Sequence, residues 1–380
     1  MSAFPIDELQ KQPTPFYYYN LNLLRETLRT LKTAAPETFY HVHYAIKANA
    51  NPLLLKEICE AGIGVDCVSG GEIKAAINAG FSPSKIVFAG VGKSDWEIRL
   101  ALEAGIACFN VESEPELEVI NDIAITLGKV ANVALRVNPN IDAHTHHYIT
   151  TGLAENKFGI PMEMLERIIG RCQELSGVEL IGLHFHIGSQ ITENTPFRLL
   201  SDKINALQDT FNARGVYFKT INVGGGLGID YDNPDKNPIP DFEGYFDAFR
   251  KNLVLRPGQQ LHFELGRAIV GQCGSLITRV LYVKEGLEKK FAIVDAGFTE
   301  LIRPALYQAH HKIENLTSDG PVEQYDVVGP ICESSDCFGE KEALNLVSRG
   351  DLLALRSAGA YGEIMAMQYN CRALPGCLAK

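Results

Sequence analysis

Between residues 21 and 265 the chain repeats one alternation eight times, a stretch with helical spacing and then a short apolar run. The apolar runs fall at 42–46, 64–68, 86–89, 107–111, 133–137, 181–187, 220–223 and 261–265. The helical stretches fall at 21–32, 52–61, 72–79, 96–104, 114–127, 162–175, 196–213 and 242–252. Several carry their own punctuation. Asn51 precedes Pro52 at a first helical position, Ser113 precedes the fifth helix, and Gly62, Gly80 and Gly105 follow helix ends. Those are the residues that cap and stop helices. Eight equivalent strand–helix units predict a closed (β/α)₈ barrel, an α/β fold of the TIM type. An open doubly wound sheet also alternates, but no GxGxxG follows an early strand, which weakens a dinucleotide-binding reading.

Past residue 267 the texture changes. Runs at 275–284, 290–294, 325–328, 352–355 and 363–369 look like strands without long helices between them. The run Tyr17-Tyr18-Tyr19 has the same character. The expected organisation is a barrel over 21–267 and a β-rich domain, barrel- or sandwich-like, over 268–380 together with 1–20. With 46% hydrophobic residues in 380, the chain can bury two cores.

The net charge of −11 argues against nucleic acid and anionic membranes as partners. No apolar stretch approaches a membrane span, and MSAFPIDELQ does not read as a secretory signal. Nine cysteines lie scattered with no CxxC pair. Cys332 and Cys337 have no matching His or Cys pair, so no metal site is expected. Free thiols in a reducing cytoplasm are the simplest reading.

In barrels of this type chemistry sits where the strands end. The first strand runs into Lys47 and the second carries Asp66, followed by Ser69-Gly70-Gly71-Glu72. The fifth carries Arg136 and Asn138, the sixth His184-Phe185-His186-Ile187-Gly188-Ser189-Gln190, the seventh Gly224-Gly225-Gly226, and the eighth Glu264-Leu265-Gly266-Arg267. Each has a bland reading. Lys47 alone is a solvated amine, the glycines a tight turn, His186 a buried hydrogen-bonded ring, and Glu264 a carboxylate satisfied by Arg267 or Lys47. Together they supply an amine, a backbone cup for a phosphate that Ser189 and Gly266 with Arg267 would help close, a flat histidine and an acid. That set suits pyridoxal 5′-phosphate, whose aldehyde, phosphate and pyridine nitrogen ask for these groups. In the β-rich part, FTELIRPALY puts Arg303 and Tyr307 one helical turn apart, GPICESSD sets Cys332 beside Glu333, and GAYG carries Tyr361.

YAIKAN (44–49), DCVSGGE (66–72), NKFGI (156–160), HFHIGSQ (184–190), GGGLG, ELGR, RPALY, GPICESSD and GAYG occur in this order over nearly the whole chain. By these motifs the chain resembles the fold-type III, alanine-racemase-like PLP-dependent decarboxylases. The resemblance implies a PLP-binding barrel followed by a β domain, and a homodimer with shared active sites. It implies that Lys47 carries the cofactor, His186 stacks on its ring and Glu264 pairs with its nitrogen. Ser189, Gly225, Gly226, Gly266, Arg267 and Tyr361 would help hold it. Arg267, Arg303, Tyr307 and Tyr361 would bind the far end of an amino-acid substrate, chiefly a carboxylate. Glu333 would meet a distal ammonium and Cys332 would return a proton, both from the partner subunit. Leu265 departs from the pattern, which usually has proline there; proline fixes φ, so the loop is expected to be less rigid. Rival readings are a decarboxylase of ornithine, lysine, arginine or carboxynorspermidine, an amino acid racemase, and a catalytically silent PLP-binding homologue. Arg303 with Glu333 favours a distal end bearing both charges, and the cysteine loop favours decarboxylation.

Overall fold

The computed structural model describes residues 4–141 and 157–380, so of the NKFGI motif Asn156 lies outside the described residues. Two compact units result. One comprises Thr27–Gly228 with Asp241–Gly266; the other comprises Met1–Glu26, Ile229–Pro240 and Arg267–Lys380.

The first unit is the barrel. Its strands are Tyr40–Ala45, Gly64–Cys67, Ile86–Phe88, Cys108–Val111, Ala131–Asn138, Val178–His184, Thr220–Asn222 and Gln260–Leu265. All neighbouring strands pair in parallel, and Gln260–Leu265 pairs with Tyr40–Ala45, so the sheet closes on itself. Closure leaves no unpaired edge. Helices follow where the caps predict. Asn51 accepts the Leu53 N–H, Ser69 accepts the Glu72 N–H, and Ser94 with Glu97 forms a reciprocal capping box. The last strand is wedged by rings: Phe263 meets Phe246 edge-on at 4.9 Å and Phe249 at 5.6 Å. This packing holds the helix Phe242–Asn252 against the strand that carries Glu264.

The second unit is built on the long strand Gly274–Glu285. It pairs antiparallel with Phe16–Tyr19, Leu352–Leu355 and Lys290–Val294. Three strands were not visible in the sequence pattern; the shortest, Ile313–Asn315, pairs antiparallel with Leu352–Leu355, and the other two are longer. Cys337–Asn345 pairs antiparallel with Val322–Val328, and Gly376–Ala379 runs parallel to Phe16–Tyr19. Both are largely polar or exposed, so no apolar alternation marks them. The expected strand at 363–369 is absent. Glu363–Met365 is a 3₁₀ turn and a second, Tyr369–Cys371, begins where the run ends; left-handed residues flank the run at Tyr361 and Asn370.

The segment Ile229–Pro240 follows the glycine turn of the barrel yet belongs to the second unit. Asp235 there accepts from the Arg356 Nη2 at 2.8 Å, and Arg356 reaches Glu314 at 2.6 Å. Gln272 bonds the Asn237 carbonyl.

Candidate active site

Each unit gathers its own set of functional side chains. In the barrel, Lys47 sits in a 3₁₀ turn, Ile46–Ala48, one residue past the end of its strand. The Tyr44 hydroxyl donates to the Asn49 carbonyl at 2.8 Å and pins this turn. Gly266 lets the last strand pass close by, since a Cβ there would lie 3.1 Å from that of Ala48. The Lys47 amine is 3.8 Å from the Asp66 carboxylate; the lysine side chain is 41% exposed and that of Asp66 only 1%. Burial, reinforced by the charge of Glu264, pushes the Asp66 carboxyl well above its usual range, against the pull of Lys47. Neither Asp66 oxygen has a hydrogen-bond partner among the described residues. The aspartate therefore depends on the amine beside it.

Glu264 is buried and meets three donors. Asn110 and Asn222 amides donate to Oε1 at 3.0 and 2.7 Å, and His184 Nε2 lies 3.0 Å from Oε2. These donors, not Arg267 or Lys47, satisfy it. Burial pushes this carboxyl up, but the charge and hydrogen bond of His184, with Lys47 and His186, hold it well below the carboxylate range. His186, two residues on, accepts the Gly225 N–H on Nδ1 at 3.3 Å. Burial, then the charges of Lys47 and Arg136, push its pKa well down, so the ring is neutral.

The glycine turn has φ of +69° at Gly224 and +107° at Gly226. A Cβ on Gly225 would lie 2.0 Å from the Glu264 carbonyl oxygen, so no other residue fits. Ser189 lies half-buried between Gly188 (φ +150°) and Gln190 (φ +61°). One buried ion pair on this rim escaped the sequence reading: Arg136 reaches Glu112 at 2.6 Å, Glu112 also accepts the Gly159 N–H, and the Phe158 ring lies 4.7 Å from the guanidinium. A covalent anchor for an aldehyde, a neutral ring, an ionised acid and a side-chain-free turn fit pyridoxal phosphate.

In the second unit Arg267 and Arg303 are both buried and share one aromatic partner. The Arg267 guanidinium donates to the Tyr231 hydroxyl and lies 5.0 Å from the Tyr361 ring. The Arg303 guanidinium lies 5.4 Å from the Tyr231 ring. Burial, with the neighbouring Arg267 charge, lowers the Arg303 pKa, and its Nε has no hydrogen-bond partner among the described residues. Tyr231 was missed because nothing in IDYD separates it from a loop tyrosine. Tyr307 ends the short helix Arg303–Tyr307, half-buried. Cys332 and Glu333 are exposed on a loop held by Asp336, whose carboxylate accepts the Phe298 and Ile331 N–H groups at 2.6 and 2.7 Å. Glu333 bonds the Tyr369 phenol, and that bond raises the phenol's pKa.

Residues 21–271, which carry this rim, match the model of the pyridoxal-dependent decarboxylase family's pyridoxal binding domain. The chain is 63% identical to a diaminopimelate decarboxylase of Bacteroides thetaiotaomicron over 98% of its own length and 97% of the relative's. It is also similar to the solved structure of the Helicobacter pylori diaminopimelate decarboxylase complexed with L-lysine. That match has 39% identity and a TM-score of 0.93, and covers 99% of this chain and 93% of the other. The lysine complex of the M. jannaschii diaminopimelate decarboxylase gives 35% identity and a TM-score of 0.88 over 99% and 89% of the two chains. The chain belongs to the diaminopimelate decarboxylase family of pyridoxal-dependent enzymes, and pyridoxal phosphate is its cofactor. No helix of the described residues is long and apolar enough to cross a membrane.

Proposed function

We propose that this chain decarboxylates meso-2,6-diaminopimelate to L-lysine and CO₂, with Lys47, His186 and Glu264 holding pyridoxal 5′-phosphate on the barrel rim. The observation that carries the reading is that His186 and Glu264 meet at one glycine turn and both feel the charge of Lys47. When bound, the cofactor takes up the electron pair left as CO₂ departs. Lys47 holds it covalently, and Asp66 keeps a proton within reach of the amine. His186 lies flat and uncharged against the ring. Glu264, as a carboxylate, would accept a hydrogen bond from the protonated ring nitrogen, while Gly225, Gly226, Ser189 and Gly266 would receive the phosphate. Arg267, Arg303, Tyr307 and Tyr361 bind the distal carboxylate, since planar guanidinium groups recognise carboxylates in bidentate fashion. Glu333 meets the distal ammonium. Cys332 delivers a proton to the carbon that has lost its carboxylate and recovers one from solvent.

Cys332 and Glu333 stand exposed on their loop, which suits residues that serve the site of a second copy in a homodimer. All nine cysteines are free thiols, which suits a reducing cytoplasm. The test is a substrate panel. Purified protein should show the visible absorbance band of covalently bound cofactor and release CO₂ from meso-diaminopimelate. Release from ornithine, lysine, arginine or carboxynorspermidine instead would sink the substrate assignment. Mixing inactive Lys47→Ala with inactive Cys332→Ala should restore part of the activity; no recovery would argue against shared sites.

A further inference from the structure

The donors around Glu264 carry more than burial requires. A carboxylate has about four lone-pair positions. Here three are taken by side chains from three different strands: Asn110 from Cys108–Val111, Asn222 from Thr220–Asn222 and His184 from Val178–His184. All three side chains are themselves buried. Asn110 and Asn222 each present an N–H to the carboxylate, and His184 Nε2 donates to it in the states that carry a proton on that nitrogen. For Asn222 the orientation is fixed independently, because its Oδ1 accepts the Gly224 N–H at 2.9 Å, leaving only Nδ2 to face Glu264. The Glu264 backbone N–H in turn donates to the Gly224 carbonyl at 2.8 Å. A protonated Glu264 would set its O–H against donors.

We infer that Asn222, Asn110 and His184 are positioning residues that force Glu264 to remain ionised, and that Asn222 couples this acid to the glycine turn. The inference rests on the cofactor reading above and deepens it. The acid that faces the ring nitrogen and the turn that faces the phosphate are set by one amide, so both ends of the cofactor are registered against a single side chain. One acceptor position of Glu264 is left for a cationic donor, which selects a protonated pyridine over a neutral one.

Asn222→Asp is the sharpest probe. It keeps the acceptor for the Gly224 N–H and removes only the donor toward Glu264, placing two carboxyl groups within hydrogen-bond distance. Like charges so close cannot both stay ionised. The infrared spectrum of the variant holoenzyme minus that of wild type should then show an added carbonyl stretch of a protonated acid. The dissociation constant for pyridoxal phosphate, measured by dialysis, should rise at least about tenfold, which is about 1.4 kcal/mol. Asn110→Asp reads the same oxygen from another strand and should behave alike. His184→Gln, which retains an N–H, should hold cofactor within about threefold of wild type, whereas His184→Leu should lose it as Asn222→Asp does.

A folded Asn222→Asp holoenzyme with no added acid carbonyl in that difference spectrum and a dissociation constant within twofold of wild type would overturn the inference. If no aspartate variant is soluble, wild type minus Glu264→Gln decides: loss of an acid carbonyl would show Glu264 protonated and end the idea. The cofactor reading fails separately, through a wild type that takes up no pyridoxal phosphate or a visible band that survives Lys47→Ala. The infrared result still reports the Glu264 ionisation in either event.

Discussion

The barrel rim and the arginine cluster of the second unit solve opposite electrostatic problems. On the rim a buried acid, Glu264, meets three polar partners on fixed strands. In the second unit Arg303 is buried with aromatic faces around it and no carboxylate of the described residues within ion-pair distance. A satisfied charge is preorganised for one chemistry; a cation stripped of water without a counter-ion calls for an anionic ligand. In the proposed reading the rim would set the reaction and the arginine cluster would select the molecule that undergoes it.

That contrast breaks if the two sets respond alike to substitution. The largest effect is expected at Lys47. Lys47→Ala should lower kcat/KM at least about 10³-fold, about 4 kcal/mol, and remove the visible band. Survival of the band would remove the lysine from its role. Next comes Arg303→Ala, which should raise KM for meso-diaminopimelate by about 10–10² through loss of a charge-assisted contact of about 1.5–3 kcal/mol. The cofactor spectrum should stay unchanged; a spectral shift would blur the division of labour.

A third prediction concerns stability on the barrel side alone. His43 and His262 are in contact, Nε2 to Nδ1 at 2.9 Å. Burial lowers His43 to about 4 and His262 to about 2, the latter with the like charges of His43 and His41 adding. Folded pKa values below the unfolded 6.5 mean that the unfolded chain binds more protons in acid. Stability from these rings is thus complete above pH 6.5 and falls as pH drops toward 4, by at most about 1.4 kcal/mol per unit per ring. Denaturant midpoints from pH 7 to 4.5 check it, and His43→Gln should flatten the slope. The smallest effect is expected from Tyr231→Phe. Losing the acceptor for Arg267 while keeping the ring should cost about 1 kcal/mol, a roughly fivefold rise in KM with little change in kcat. An equal fall in kcat would place Tyr231 with the chemistry instead.

The same contrast explains what the sequence revealed. Barrel strands repeat, so their alternation and glycine stops were readable, and Lys47, His186 and Glu264 fell at strand ends where such folds keep their chemistry. The partners of Glu264 were not readable. Asn110 and Asn222 look like ordinary polar residues until closure brings three separate strands around one carboxylate. Tyr231 was hidden for a related reason, since it lies in a segment whose partners, Arg267 and Arg303, come later in the chain. At 363–369 apolar content suggested a strand, but 3₁₀ turns occupy both ends of the run, with left-handed Tyr361 and Asn370 just outside it.

The segment Ile229–Pro240 has a consequence for how the chain is made. Its anchors all lie downstream, from Gln272, 35 residues past Asn237, to Arg356, 121 residues past Asp235. On the ribosome the barrel's seventh strand emerges with a tether that has nothing yet to hold. A fragment ending at Gly266 would contain every barrel strand and still leave Tyr231 and Asp235 without their counterparts. The gene cannot be cut cleanly into two modules at that point, and a split version should regain the loop's order only when both pieces are produced together.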